Sequence, residues 1–532
     1  MFQIINRYDG RFTSAALAVC FIPVCLVMLV FLSPGGSYED ENDATYIILF
    51  IVICLGILST FLLWRFLARN RGMSLVLTPY RQPSLPMKKV FLWIFGFTSV
   101  AYSILNMVIV IDCLETSYPY INSENYILGL LHSSGEVVFF LGQIGFISYF
   151  ASFTLVSTTS TNYGILGMLI VHVIEWIHKF HLNIRRIAGT STNMINITSY
   201  NCFVESEFYA LKQKTHPFGV PLRTLFSLLA VEMLLNMWQP ADFQRQMNYA
   251  TDQSRCSREN SRQSDELSPL LQNIDGLNVN AIQSDVTINS SDDHINIDKE
   301  TAQNSQNRNT RFIVCILIGV INSLPVITTF LFVIATVSVS SSHVYAMEIM
   351  LCLLNLELLL ITLYTLCNMS KSIECYSRTI AARGNCVILL FCTSFAVLFC
   401  ACRLMAGLLV DSECHIEQNH FHLKYPASIL VVGMFLEIFT ILLQTILVRV
   451  SSFTKRNKQI FSVVCSMRVL CVLNVICWFM YGIFYGGFDK TMIIEKCFYN
   501  KYNWELIKNI ALPISGFYRF HLFTRLHECS LK

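Results

Sequence analysis

The sequence predicts an all-α polytopic membrane protein, with twelve transmembrane helices in two six-helix halves. Three observations predict it. Of 532 residues, 54% are hydrophobic and only 14% charged, with a mean hydropathy of +0.52, whereas a soluble domain carries roughly 25% charged residues. Twelve apolar runs are each long enough, at about 20 residues per span, to cross roughly 30 Å of hydrocarbon as a helix. A polar stretch at about residues 240–309, rich in Asn, Ser, Gln and Asp, divides them six and six.

The first run, near residues 12–33, follows Arg7 and Arg11 as a signal peptide would. It is longer than a usual apolar signal core and no A-x-A site follows, so it is expected to be a retained span. Runs near 44–67, 88–113, 126–156, 162–182 and 219–238 complete the first half. Those near 311–338, 344–367, 385–410, 424–448, 460–486 and 504–527 make the second. Inside hydrocarbon a helix satisfies all of its own backbone hydrogen bonds, which an isolated strand cannot do. The polar break buries too little apolar surface to offset its chain entropy and is expected to be disordered, a small folded domain being the alternative. The expected organisation is a cytoplasmic N-terminus (1–11), an N-terminal six-helix half (12–238), a disordered cytoplasmic linker (239–310), a C-terminal half (311–527) and a cytoplasmic C-terminus (528–532).

Loop charges set the orientation, because short cytoplasmic loops collect Lys and Arg. The loop after the second run holds Arg65, Arg69, Arg71, Arg81, Lys88 and Lys89; the loops after the eighth and tenth hold Lys371, Arg378, Arg383 and Arg449, Lys455, Arg456, Lys458. Alternation puts these three on one side with both termini and the linker. The opposite loops carry Glu39, Asp40, Glu41 and Asp411, Glu413, Glu417. One opposite loop, with Arg185, Arg186, Lys212 and Lys214, dissents; its sequon at Asn196 fits an outside location, where glycosylation occurs, while sequons at Asn289 and Asn368 would be cytoplasmic and silent. Most of the 20 cysteines lie inside apolar runs, where they act as small hydrophobes. Cys113, Cys202, Cys414 and Cys497 are the ones placed to pair in an oxidising lumen, in a pairing the sequence leaves open. A net charge of +3, spread along the chain, gives no nucleic-acid footprint. No nucleotide loop, structural zinc spacing or nucleophile elbow is present, so neither an enzyme nor a cofactor is expected.

Ionisable groups inside the runs call for an account, since each costs on the order of 2.5–3.5 kcal/mol at mid-bilayer on insertion scales. His132 and Glu136 lie one turn apart on the fourth run; His172, Glu175 and His178 share a face of the fifth. Glu232, Glu357, and Glu437 with Gln444 follow on the sixth, eighth and tenth, and Arg519 and His521 on the last. His178, His527 and Glu528 sit near span ends and are expected to snorkel, with Glu348 and Arg403 read as interfacial. Glu136, Glu175, Glu357 and Glu437 are deeper. Each alone is equally well a protonated tether between helices. Together, Glu and His in several spans make a polar pathway of groups able to titrate near neutrality, as proton passage needs.

At the last run Trp504-Glu505, Leu512-Pro513-Ile514, Phe517-Tyr518-Arg519-Phe520-His521 and Glu528 resemble the final helix of the otopetrin family of proton channels. Asn474, Trp478 and Tyr481 are similar to its eleventh span, and Glu437 with Gln444-Thr445 to its tenth. Thr161-Asn162 with Glu175 resembles its fifth, Phe218, Pro221, Ser227-Leu228-Leu229 and Met237-Trp238 its sixth, and Phe95-Gly96-Phe97 its third. The resemblance implies a homodimer of twelve-span subunits in the plasma membrane, conducting protons selectively, opened by extracellular acid and blocked by zinc. It makes Asn162, Glu175, Glu437, Gln444, Arg519 and His521 candidates for conduction or gating, beside Glu136, His172 and Glu357 from the intramembrane charges. Two positions depart from the family pattern. Leu225 and Phe226 stand where an acidic residue and Tyr usually precede the sixth-span Ser, and Arg468 lies well inside the eleventh run. His415, His420 and His422, after the ninth span, are candidates for sensing acid or binding zinc, an ordinary solvated loop being the alternative. The rival functional reading is a proton-coupled secondary transporter of a small solute, since two six-span halves joined by a long loop also suit large transporter families.

Overall fold

The structure, a computed structural model, describes residues 43–69, 77–79, 83–116, 123–155, 158–190, 207–238, 313–314, 317–325, 327–329, 331, 341–370, 382–411, 413–416, 419–452, 461–480 and 492–531. The first apolar run, the sequon at Asn196 and nearly all of the expected linker lie outside these residues. Residues 240–318 form a unit of their own, of which only 313, 314, 317 and 318 are described.

The described remainder is nearly all helical. In chain order the elements are α1 (Asp43–Arg69), β1 (Leu77–Pro79), α2 (Leu85–Thr116), α3 (Ser123–Phe150), β2 (Phe153–Leu155), α4 (Thr159–Thr190) and α5 (Glu207–Met237). After them come α6 (Ser341–Ser370), α7 (Ala382–Leu409), β3 (Glu413–Ile416), β4 (Asn419–His422), α8 (Lys424–Ser452), α9 (Phe461–Phe479), α10 (Ile493–Tyr499) and α11 (Lys501–Leu531). Residues 317–325 and 327–329 of the expected seventh span are helical as well. The two antiparallel strand pairs, β1 with β2 and β3 with β4, lie outside the helices and are three or four residues long.

Among the described residues, eight helices are long and apolar enough to cross a membrane: α1, α2, α3, α5, α6, α7, α8 and α9. Their outer faces expose large apolar side chains at helical spacing, such as Ile51, Leu55, Leu58 and Leu62 on α1 and Leu353, Leu356 and Leu360 on α6. A soluble protein would bury such stripes; lipid is the solvent that accepts them, and the chain is a multi-pass membrane protein. The long helices α4 and α11 are more polar because they are shielded. Every residue of α11 from Ala511 to Leu522 is buried, and α4 buries Thr161, Asn162, His172 and Glu175.

The helices before and after the break pack in the same pattern. α1 lies against α3 and α4, while α2 lies against α3 and α5. Likewise α6 lies against α8 and α9, while α7 lies against α8 and α11. The two sets meet where α11 packs on α4 and α5, and where α7 touches α5. The α1–α4 crossing is tight: a Cβ on Gly56 would lie 2.4 Å from Val171 Cγ2, and one on Gly167 would lie 2.2 Å from Ser59 Oγ. Glycine lets backbones approach where dispersion, rather than water exclusion, drives association.

The basic loop that dissented from the charge rule is partly helix. α4 continues to Thr190, carrying Arg185 and Arg186, and Lys212 and Lys214 lie on α5, which begins at Glu207.

Candidate functional site

Among the described residues, four buried ionic clusters occupy the bundle, three of them holding candidate residues and the fourth joining Arg403 to Glu348 and Glu495, all built from residues the bilayer would reject singly. In the first, His132 and Glu136 are four residues apart on α3 and so share a face, with Glu175 arriving from α4, Arg223 from α5 and Ser103 from α2. The Arg223 guanidinium is paired with Glu136 and lies 3.8 Å from Glu175. His132 Nε2 is 3.2 Å from Glu175 Oε1, and the Ser103 hydroxyl donates to Glu136 at 2.8 Å. Arg223 also sits over the Phe140 ring, 5.1 Å from its centroid. Two carboxylates and one imidazole thus surround one fixed cation. Donor atoms of His132, Glu136 and Glu175 lie within 4.8 Å of one another, close enough to share a small cation. Arg223, already on Glu136, supplies that positive charge, so the set fits a mobile proton better than a divalent metal.

Two further polar contacts lie along α4. His172 Nε2 stands 3.4 Å from Gln143 Oε1, between the rings of Phe139 and Phe226. Ten residues earlier on α4, Asn162 Oδ1 accepts a 2.6 Å hydrogen bond from the Trp238 indole. At 1.5 Å per residue these contacts are about 15 Å apart, and the α4 residues between them include buried Ile165 and Met168.

The second cluster is centred on Arg519 of α11. Its guanidinium donates to Glu437 at 2.9 Å, and to Gln444 and Asn474 at 3.3 Å each. Gln444 in turn donates to Thr362 at 3.4 Å. One carboxylate and two amides hold this arginine. Next to it, the Tyr518 hydroxyl lies 3.2 Å from Thr445 and donates to the Ile441 carbonyl.

The third cluster joins the two sets of helices. Glu232 on α5 accepts from Lys88 of α2 at 2.8 Å, and its other oxygen is 3.1 Å from His521 Nδ1 on α11. Arg525 is 3.9 Å from Glu232 and donates to Glu528 at 2.7 Å; Glu528 also accepts from Ser84. Two carboxylates balance two fixed cations, with the imidazole left over.

The first two clusters share a register. Glu136 and Gln143 are seven residues apart on α3, and so are Glu437 and Gln444 on α8. Arg223 and Glu232 are nine apart on α5, as are Arg519 and Glu528 on α11. In both, an arginine of the inner helix pairs with the first member of a Glu-x6-Gln face.

The predicted residues therefore fall into separate groups. Glu136 and Glu175 are together, and His172 is one turn away; Glu437, Gln444 and Arg519 are together; His521 belongs to the third cluster, and Asn162 accepts from Trp238. Glu357 joins none of them. It is half-buried and accepts a 2.5 Å hydrogen bond from Asn322. In the β3–β4 backbone register His415 is paired with His420 and Glu413 with His422.

Several expectations are corrected. Lys88, read as a loop charge, is fully buried against Glu232. Glu348 and Arg403, read as interfacial, are buried and paired at 3.3 Å, with Glu495 of α10 2.5 Å from Arg403 on its other side. His178 and Glu528, expected to snorkel, are buried too. For Lys88, Glu348 and Arg403 the cause is the same: a partner on another helix, invisible along one run of sequence, satisfies the charge. Arg223 was missed, although its nine-residue spacing to Glu232, repeated by Arg519 and Glu528, was legible.

Compared with known proteins, residues 176–520, well over half of the chain, match a family model described as Otopetrin. The match begins one residue after Glu175 and stops one before His521. No match is found among curated proteins.

Proposed function

The chain belongs to the otopetrin family, and from that premise we propose that it is a proton-selective channel of the plasma membrane, opened by extracellular acid. In this reading the subunit has twelve spans in two similar halves, both termini and the 239–310 linker are cytoplasmic, and two subunits assemble as a homodimer. The shared Glu-x6-Gln and Arg-x8-Glu registers support the two halves, with the runs near 12–33 and 311–338 completing them.

The observation that carries the proposal is the excess of titratable groups around Arg223. Two carboxylates, Glu136 and Glu175, stand against the single Arg223 guanidinium. The cluster can therefore take up one proton and become neutral without breaking the Arg223–Glu136 pair. A proton held between Glu175 and His132 has its next acceptor in His172, one turn along α4 and oriented by Gln143. Below that, the apolar stretch past Met168 and Ile165 is where water has to enter for the path to reach Asn162. A closed gate of this kind is compatible with a resting channel.

The other clusters take different parts. The network around Glu232 and His521 has its fixed charges already balanced and holds no surplus acid, so it joins the two sets of helices rather than loading a proton. The Arg519 cluster pairs its only carboxylate with a permanent cation and is a tether. His415, His420 and His422, on the hairpin expected outside, are suited to sensing external acid or an inhibitory metal ion.

Whole-cell recording of Glu175→Gln, alongside cell-surface labelling, tests the assignment. Loss of acid-evoked current at unchanged surface level is expected. Full current from that variant would contradict it.

A further inference from the structure

Helix α10 is seven residues long, yet it is held from several sides. Its Glu495 carboxylate reaches Arg403 of α7 at 2.5 Å, and that guanidinium also binds Glu348 of α6 at 3.3 Å. The Tyr499 hydroxyl donates to the Cys402 carbonyl at 2.9 Å, and its ring stacks on Trp504, which stacks on Phe399. Both residues flanking the helix have positive φ, Met492 at 60° and Asn500 at 69°. Met492 is in the left-handed α region and Asn500, at ψ 150°, in an extended positive-φ conformation, and residues other than glycine hold either only when their surroundings impose it.

Within this helix Cys497 is disulfide-bonded. α10 packs against α7, α11 and β3. On α7, Cys392, Cys400 and Cys402 are free thiols, and so is Cys529 of α11. The remaining α7 cysteine, Cys386, lies seventeen residues before Arg403, about 25 Å along the helix axis from the end that α10 covers. Strand β3 carries one cysteine, Cys414.

We propose that Cys414 is the partner of Cys497, so that a disulfide staples α10 to the β3–β4 hairpin and caps the buried Arg403 site. The bond forms by thiol–disulfide exchange: the two thiols lose two electrons and two protons to a disulfide donor of the oxidising compartment, whose own disulfide is reduced to a dithiol. Formation there rests on the topology proposed above, which sets both segments outside. The staple keeps Glu495 seated on Arg403. Without it, a seven-residue helix would have to hold that buried charge by packing alone. It also fixes the hairpin bearing His415, His420 and His422 against the cap, making the cap sensitive to extracellular reductant.

Peptide mapping of the full-length protein, alkylated before lysis and digested with trypsin without reduction, tests the pairing. Cleavage after Arg403, Lys424, Lys496 and Lys501 releases 404–424 and 497–501, each with one cysteine. The expected result is a single linked species of these two peptides that disappears on reduction, and is absent from Cys414→Ser and from Cys497→Ser. Alkylated Cys497, its linkage to another cysteine such as Cys113 or Cys202, or a reductant-sensitive covalent dimer through Cys497 would each overturn the proposal. The readout involves no current, so it stands or fails separately from proton conduction.

Discussion

Around Arg223, the helices before the polar break gather two carboxylates and an imidazole; around Arg519, those after it gather one carboxylate and two amides. The scaffolds correspond helix by helix and residue by residue, in Glu136 and Glu437, Gln143 and Gln444, Arg223 and Arg519. The difference lies on α4 and α9, where Glu175 faces Arg223 on the first and Asn474 faces Arg519 on the second. One extra carboxylate changes what the site can do. A matched ion pair is locked, since removing a proton acceptor or a cation from it leaves a buried charge alone. A cluster with a surplus carboxylate can load and unload a proton while its arginine stays paired.

The largest effect that would sharpen this comparison is on stability. Arg519→Leu strands Glu437 in the bundle and should cost about 3–5 kcal/mol, read as a lowered thermal midpoint in detergent. The paired change Glu437→Met with Arg519→Met should recover most of that loss, because it removes both charges at once. A single variant as stable as wild type would break the claim that the Arg519 cluster is a tether.

On current, the order reverses. Glu175→Gln should lower acid-evoked current at least about tenfold, the equivalent of one pKa unit in proton affinity. Equal losses from Glu175→Gln and Gln444→Ala, at matched surface levels, would erase the distinction between the two clusters.

Packing supplies a smaller contrast. Gly167→Ala drives a methyl into Ser59 and should cost about 1–3 kcal/mol. Gly433→Ala, whose Cβ would meet Cys352 at 3.7 Å, should stay within about 0.5 kcal/mol of wild type. Both are read by the same thermal assay. The smallest change is Trp238→Phe, which removes the donor to Asn162 and should cost about 1 kcal/mol.

Much of this arrangement was legible before any coordinates. Hydropathy located α1, α2, α6, α7, α8 and α11 to within four residues at each end, but α4 runs on to Thr190 and α5 begins at Glu207, because their polar extensions carry no apolar signal. Glu136, Glu175, Glu437 and Arg519 stood out because charge inside such a run is expensive. Their grouping was not legible: His521 reads as a neighbour of Arg519 along the chain, yet it bonds toward Glu232 across the junction of the two sets of helices. Lys88 and Arg403 were misread for a related reason. Position in a run predicts depth, but a partner on a distant helix decides burial, and Glu495 sits on a seven-residue helix too short to register as a span. Glu357 met every sequence criterion and still stands apart with Asn322.

The central claim, that the surplus acid around Arg223 serves a proton path, is tested most directly by the reversal potential of the acid-evoked current in cells expressing the full chain. With external pH stepped and other ions held constant, proton selectivity predicts a shift of about 59 mV per pH unit, with the current lost in Glu175→Gln. A reversal potential that stays fixed as the proton gradient changes would contradict the account.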